Sequence, residues 1–198
     1  MKSDVCKLSQ NLASLEVILN ETERAASYAN LDKKQILRLR LLAEELVGML
    51  PELLSFGTGE FWIEAEGKNF ELHTVLTPSS SMTAEKREKI LSVATDGKNA
   101  AAVGIMSKIK LAAEFMMIDY SEVAAVTNAE SDFFSMGAVA MPTYPMTSWS
   151  LSTYRTKSEE KKGDDWDELE KSIIANIADD VIVGVQGKKV EVVVKKQM

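Results

Sequence analysis

Advancing roughly 100° per residue along Asp32–Leu54 places Ile36, Leu39, Ala43, Leu46, Leu50 and Leu53 on one side of a helix. Leu37, Leu41, Glu44 and Gly48 fall on nearly the opposite side, so this helix has two faces that call for different surroundings. Asp32 is the expected N-cap, because its carboxylate can accept from the orphan amides of the first turn. Pro51 lacks the N–H that would bond Val47 and crowds that turn, so the helix is expected to end or kink near Leu50. Upstream, Asn11–Asn30 reads as a helix with Leu12, Leu15, Val17, Ile18, Ala25, Ala26 and Tyr28 on its apolar side, after a short leading strand at about Val5–Leu8.

Downstream the period changes from helical to alternating. Phe61, Ile63 and Ala65 alternate with Glu60, Trp62 and Glu64, and after the turn Gly67-Lys68-Asn69 the alternation resumes from Phe70 to Thr77. That is a hairpin pattern. Pro78-Ser79-Ser80-Ser81 breaks it, and Thr83 can cap a helix through Lys86, Ile90 and Val93. Asp96-Gly97-Lys98 marks a loop before an apolar helix at about Ala100–Ile118, and residues 119–147 carry no assignable period. Ser148–Arg155 alternates and is expected to be a strand, with Thr156–Gly163 as a polar connector. Asp165 and Glu168 form a capping-box pattern ahead of Trp166, Leu169, Ile173 and Ile177. Two β-branched runs, Val181–Val185 and Val190–Val194, flank Gln186-Gly187-Lys188 as a closing hairpin.

This order predicts an α+β fold. It is a two-layer α/β sandwich whose mostly antiparallel sheet is covered on one face by helices, and one domain over residues 1–198 accommodates it.

Composition narrows the function classes. The 198 residues are 45% hydrophobic and 27% charged, as in ordinary globular proteins, with a net charge of −7. An acidic chain without a basic stripe is a poor binder of phosphate backbones, so no nucleic-acid partner is expected. Cys6 is the only cysteine and His73 the only histidine, which excludes intrachain disulfides, thiolate zinc sites and multi-histidine metal sites. Apolar runs stop well short of the about 18 residues that a membrane span needs, and the N-terminus is polar. A cytoplasmic location and no membrane partner are therefore expected. His73, in a strand, reads as a half-buried or surface histidine before it reads as a catalytic one. Asp179-Asp180 reads as a turn into Val181 rather than a metal pair, and the ten methionines read mainly as core fillers.

The phrase Leu39-Arg40-Leu41-Leu42-Ala43-Glu44-Glu45-Leu46-Val47-Gly48 resembles the N-box helix of the GHKL, or Bergerat-fold, ATPases. That family includes histidine-kinase catalytic domains, gyrase-like ATPases and anti-sigma-factor serine kinases. The Gly57–Thr77 hairpin stands where the family has its next two strands. Ala101-Ala102-Val103-Gly104-Ile105-Met106-Ser107-Lys108-Ile109 resembles the glycine-rich entry to the helix beyond the ATP lid, and the closing hairpin is placed like the family's last strands.

The resemblance implies a catalytic carboxylate at Glu44 and nucleotide contacts at Gly48, Gly97 and Gly104, with ATP and magnesium as cofactors if the site is active. The departures from the family pattern point the other way. Gly48 replaces the family's magnesium-binding Asn and offers no side-chain oxygen. Thr77-Pro78-Ser79-Ser80-Ser81 stands where the family places Asp-x-Gly-x-Gly, whose Asp binds the adenine amino group. The expectation is therefore a degenerate histidine-kinase-like ATPase-fold protein. It would bind no cofactor and no metal and have a regulatory or protein-binding role in bacterial-type signalling, through a protein partner, with a homodimer also allowed. The alternative is an active ATP-binding serine kinase of the anti-sigma type. Glu44 has a plain structural competitor too, an ion pair with Arg40 one turn earlier. Gly48 costs on the order of 1 kcal/mol relative to alanine in mid-helix and so calls for a reason, either a pocket floor or a close-packing site.

Overall fold

The computed structural model describes residues 1–79, 113, 138–140, 147–161, 173–186 and 189–198. Its strands are β1 (Cys6–Leu8), β2 (Phe56–Glu66), β3 (Asn69–Pro78), β4 (Ala138–Ala140), β5 (Thr147–Ser150), β6 (Asp180–Gln186) and β7 (Lys189–Gln197). Its helices are α1 (Leu15–Tyr28), α2 (Lys33–Leu53), α3 (Leu151–Lys161) and α4 (Ile173–Ile177). The helices expected after Thr83 and at Ala100–Ile118 lie outside the described residues, apart from Ala113, which is helical and buried. The part of the later helix around Trp166 and Leu169 also lies outside them.

The strands form one antiparallel sheet in the order β1-β2-β3-β7-β6-β5-β4. Register follows from the period-2 alternation, because a slip of one residue would turn every apolar side chain toward water. Cys6, Phe61, Thr74, Val192, Val183 and Trp149 are successive cross-strand partners. All six are buried. The next row, Ile63, Leu72, Val194 and Val181, is buried as well. These rows share one core with Ile18, Leu19, Ala25 and Ala26 of α1 and Leu39, Leu42, Leu46 and Leu50 of α2. The α+β class and the antiparallel sheet are thus as the alternation predicts.

Local chemistry sets the boundaries. α2 opens with a capping box: the Asp32 carboxylate accepts from the Lys34 and Gln35 amides at 2.8 and 2.9 Å, and Gln35 Oε1 accepts from Asp32 N–H at 3.1 Å. α1 starts at Leu15 rather than Asn11 because Leu12 has φ 55°, a left-handed conformation that no right-handed helix can contain. α1 ends in a Schellman motif, with Asn30 at φ 55°, Asn30 N–H bonded to Ser27 O and Leu31 N–H bonded to Ala26 O. The β2–β3 loop is shorter than expected: Gly67, at φ 60°, and Lys68 span it, and Asn69 already pairs with Glu66.

Three expectations need correction. α2 does not stop near Leu50 but runs through Pro51 to Leu53, where the missing N–H falls in the last turn and Leu54 N–H still bonds Leu50 O at 3.1 Å. The strand expected at Ser148–Arg155 ends at Ser150, and Leu151–Lys161 is helical, taking in most of the expected connector. Ser150 caps this helix, its Oγ accepting from Thr153 N–H at 3.3 Å, while Asp180 accepts from Ser152 N–H at 2.9 Å. Leu151 and Tyr154, three residues apart, are the buried positions among residues 151–156 of α3. Lastly, β4 and the start of β5 lie within the stretch 119–147, which was expected to be irregular.

Candidate functional site

Two surfaces gather chemistry-bearing side chains, the outward side of α2 and the outer face of the sheet. On α2, Glu44 and Gly48 are both exposed, on the same side as Leu37, which is 66% exposed. A Cβ added at Gly48 would meet nothing within 4 Å among the described residues, so this glycine serves no close packing with them. Arg40 does not turn to Glu44. It pairs with Glu23 of α1 and so ties the two helices together. Glu44 is left as an exposed carboxylate with no ion-pair partner among the described residues. Gly97 and Gly104 lie outside the described residues. The structure therefore brings Glu44 and Gly48 onto one open face one turn apart, as their spacing requires.

The end of β3 is held by backbone pairing. Pro78 is in register with Phe56 across a bulge, and both the amide and the Oγ of Ser79 donate to Ser55 O, at 3.0 and 3.2 Å. Gly59 is where close approach does demand a glycine. A Cβ there would lie 2.8 Å from Leu76 Cδ2 and 3.0 Å from Leu8 Cβ, because both side chains close over it.

On the outer sheet face, Trp62 and His73 are direct cross-strand partners. Their rings stack 4.9 Å apart at 6°, with Lys2 Nζ 4.6 Å from the Trp62 ring centre on β2. His73 Nδ1 lies 3.3 Å from Glu191 Oε1 and Nε2 lies 3.3 Å from Glu71 Oε2, while Lys195 pairs with Glu71 at 2.9 Å. Glu64 accepts from Lys2 and from Trp62 Nε1, at 3.0 and 2.9 Å, and these contacts hold its carboxyl below the usual range. A cavity of about 170 Å³ opens beside His73, lined also by Ile182, Gly184 and Val193. No three carboxylate, imidazole or thiol groups among the described residues are grouped to hold a metal ion. His73 is half-buried, as expected, in a ladder of alternating charge. Its pairing with Trp62 follows from the two-residue loop at Gly67-Lys68, whereas the expected three-residue turn would have set Trp62 opposite Thr74.

Asp179 and Asp180 serve separate ends of the structure. Burial would raise the Asp179 carboxyl, but hydrogen bonds from Lys196 Nζ and Gln197 N–H, both at 2.6 Å, outweigh it and hold the group below its ordinary value. Asp180 faces the start of α3, where a carboxylate favours the helix dipole. Cys6 is buried, and desolvation, with Glu21 and Asp4 nearby, pushes its thiol up. No helix of the described residues is long and apolar enough to cross a membrane.

No protein-family model matches the chain, and no curated protein or solved structure matches it.

Proposed function

We propose that this chain is a histidine-kinase-like ATPase-fold protein of the GHKL type whose nucleotide chemistry has been lost, and that it acts in the cytoplasm as a regulatory, protein-binding component of bacterial-type signalling. The observation that carries the reading is the outward side of α2. Glu44 is exposed there, and one turn on, where the family keeps its magnesium-binding Asn, Gly48 leaves open space with no oxygen donor. The element order supports the family reading: a capped helix pair, the β2–β3 hairpin, and a closing hairpin whose β7 pairs with β3. The end of β3 supports the loss, because Thr77, Pro78 and Ser79 are engaged with Phe56, Thr58 and Ser55 and offer no carboxylate for adenine. A magnesium–triphosphate complex is held by one or two protein oxygens besides phosphates and waters, and the outward side of α2 around Gly48 supplies Glu44 alone.

Calorimetric titration with Mg·ATP is expected to give no binding heat. Saturable binding at micromolar concentration overturns the reading and favours the active serine kinase. That alternative draws on Glu44 having no ion-pair partner among the described residues, which leaves its carboxylate open to a substrate proton. It predicts transfer of labelled phosphate from ATP that Glu44→Ala abolishes.

A further inference from the structure

Leu37, Leu41, Glu44 and Gly48 recur at steps of four, three and four residues. This is the spacing of a coiled-coil seam, apolar at Leu37 and Leu41 and open at Gly48, and it suits a partner helix crossing at about 20°. Leu37 stands proud of the surface, and Gly48 leaves a notch eleven residues further on. Within α2 itself the charges run basic to acidic. The first turn holds Lys33 and Lys34 and no acid, while the last holds Glu52 and no base. The Asp32 cap offsets the basic start, whereas the acidic last turn is disfavoured in an isolated helix, where cations belong at the C-terminus. Arg38 and Glu45 extend the same polarity inward. Among the described residues, Lys33, Lys34, Arg38, Glu45 and Glu52 have no ion-pair partner in the chain, whereas Arg40 has Glu23.

We infer that the outward face of α2 is the interface of a homodimer in which the α2 helices of two copies lie antiparallel. Reversing the second helix sets Leu37 of each copy into the Gly48 notch of the other and Leu41 opposite Glu44. The same alignment brings Arg38 to Glu45 and Lys34 to Glu52, twice over by the two-fold symmetry. Each basic helix start then lies beside an acidic helix end. A parallel pairing would set Lys34 against Lys34 and Glu52 against Glu52, so charge selects the orientation. The helix is about 31 Å long at 1.5 Å per residue, so the contact is at the small end of stable interfaces. The inference rests on the reading that this face no longer serves a nucleotide.

Sedimentation velocity of the full chain without nucleotide, over a concentration series, is expected to show a monomer–dimer equilibrium that weakens with added salt. Leu37→Glu and Gly48→Leu, both at exposed positions, should each leave the folded monomer alone. Glu52→Lys should weaken association about tenfold, two exposed pairs being broken, and Lys34→Glu added to it should restore the dimer. In a Cys6→Ala background, a mixture of Leu41→Cys and Glu44→Cys chains should form the mixed disulfide on oxidation. A chain that stays monomeric throughout overturns the inference, as does a dimer indifferent to Leu37→Glu and Gly48→Leu. A monomer that ignores Mg·ATP overturns the dimer alone. A chain that binds Mg·ATP overturns the proposed function whatever its oligomeric state.

Discussion

The two sides of α2 obey different rules although they belong to one helix. Its inward side, Leu39, Leu42, Ala43, Leu46, Val47, Leu50 and Leu53, is buried against α1, α4 and the sheet. Its outward side presents Leu37, Glu44 and Gly48 to solvent. Inward positions are defined by volume, so any side chain that loses methylenes there leaves a void. Outward positions are free of that constraint, and a glycine with empty space around it can persist there for reasons other than stability. Burial, rather than helix propensity, separates residues that hold the fold from residues available for recognition.

The contrast should appear as a graded series of variants. Leu46→Ala opens a cavity at a fully buried site and should cost about 2–5 kcal/mol, read as a fall in the urea midpoint. Asp32→Ala removes the acceptor for two first-turn amides and should cost about 0.5–2 kcal/mol; a loss as large as that of Leu46→Ala would mean the cap also supports the core. Gly48→Ala should stabilise the monomer by about 0.5–1 kcal/mol, since a helical alanine orders fewer unfolded conformations and meets no neighbour. Destabilisation there would show that the notch is occupied within the monomer. Glu44→Ala should change stability by less than about 0.5 kcal/mol.

The smallest effect concerns pH. The Asp179 carboxyl is held below its ordinary value in the folded state, so its contribution is present above the unfolded value of about 3.9 and is lost as pH falls through the folded one. The stability difference between the native chain and Asp179→Asn should be present at neutral pH and shrink in acid. A difference that is constant with pH would deny the pairing with Lys196 and Gln197.

Much of this fold was legible because its signals are local. Asp32 announces α2, and the alternation of Phe70, Leu72, Thr74 and Leu76 marks the buried face of β3. What failed to show depended on distant partners. α3 is capped by Ser150 within reach of Asp180, thirty residues away, and the short run Ser148–Arg155 satisfies both an alternating and an i, i+3 pattern. Leu12 adopts a left-handed backbone that its side chain does not advertise. Pro51 looked like a terminator, yet a helix one turn from its end loses little there. At the candidate site, the shared face of Glu44 and Gly48 followed from spacing alone. The ion pair of Arg40 with Glu23 rather than Glu44 required knowing that α1 lies alongside.

The central strand of the sheet, β7, is also the last of the seven in sequence and unites β1-β2-β3 with β6-β5-β4. Its partner β3 lies about 120 residues earlier, as in the pair Thr74–Val192, so ring closure is among the costliest steps of assembly. During synthesis the two wings must wait as separate, incomplete sheets until residues 189–197 emerge. Any nascent chain stalled before then exposes apolar edges that invite aggregation.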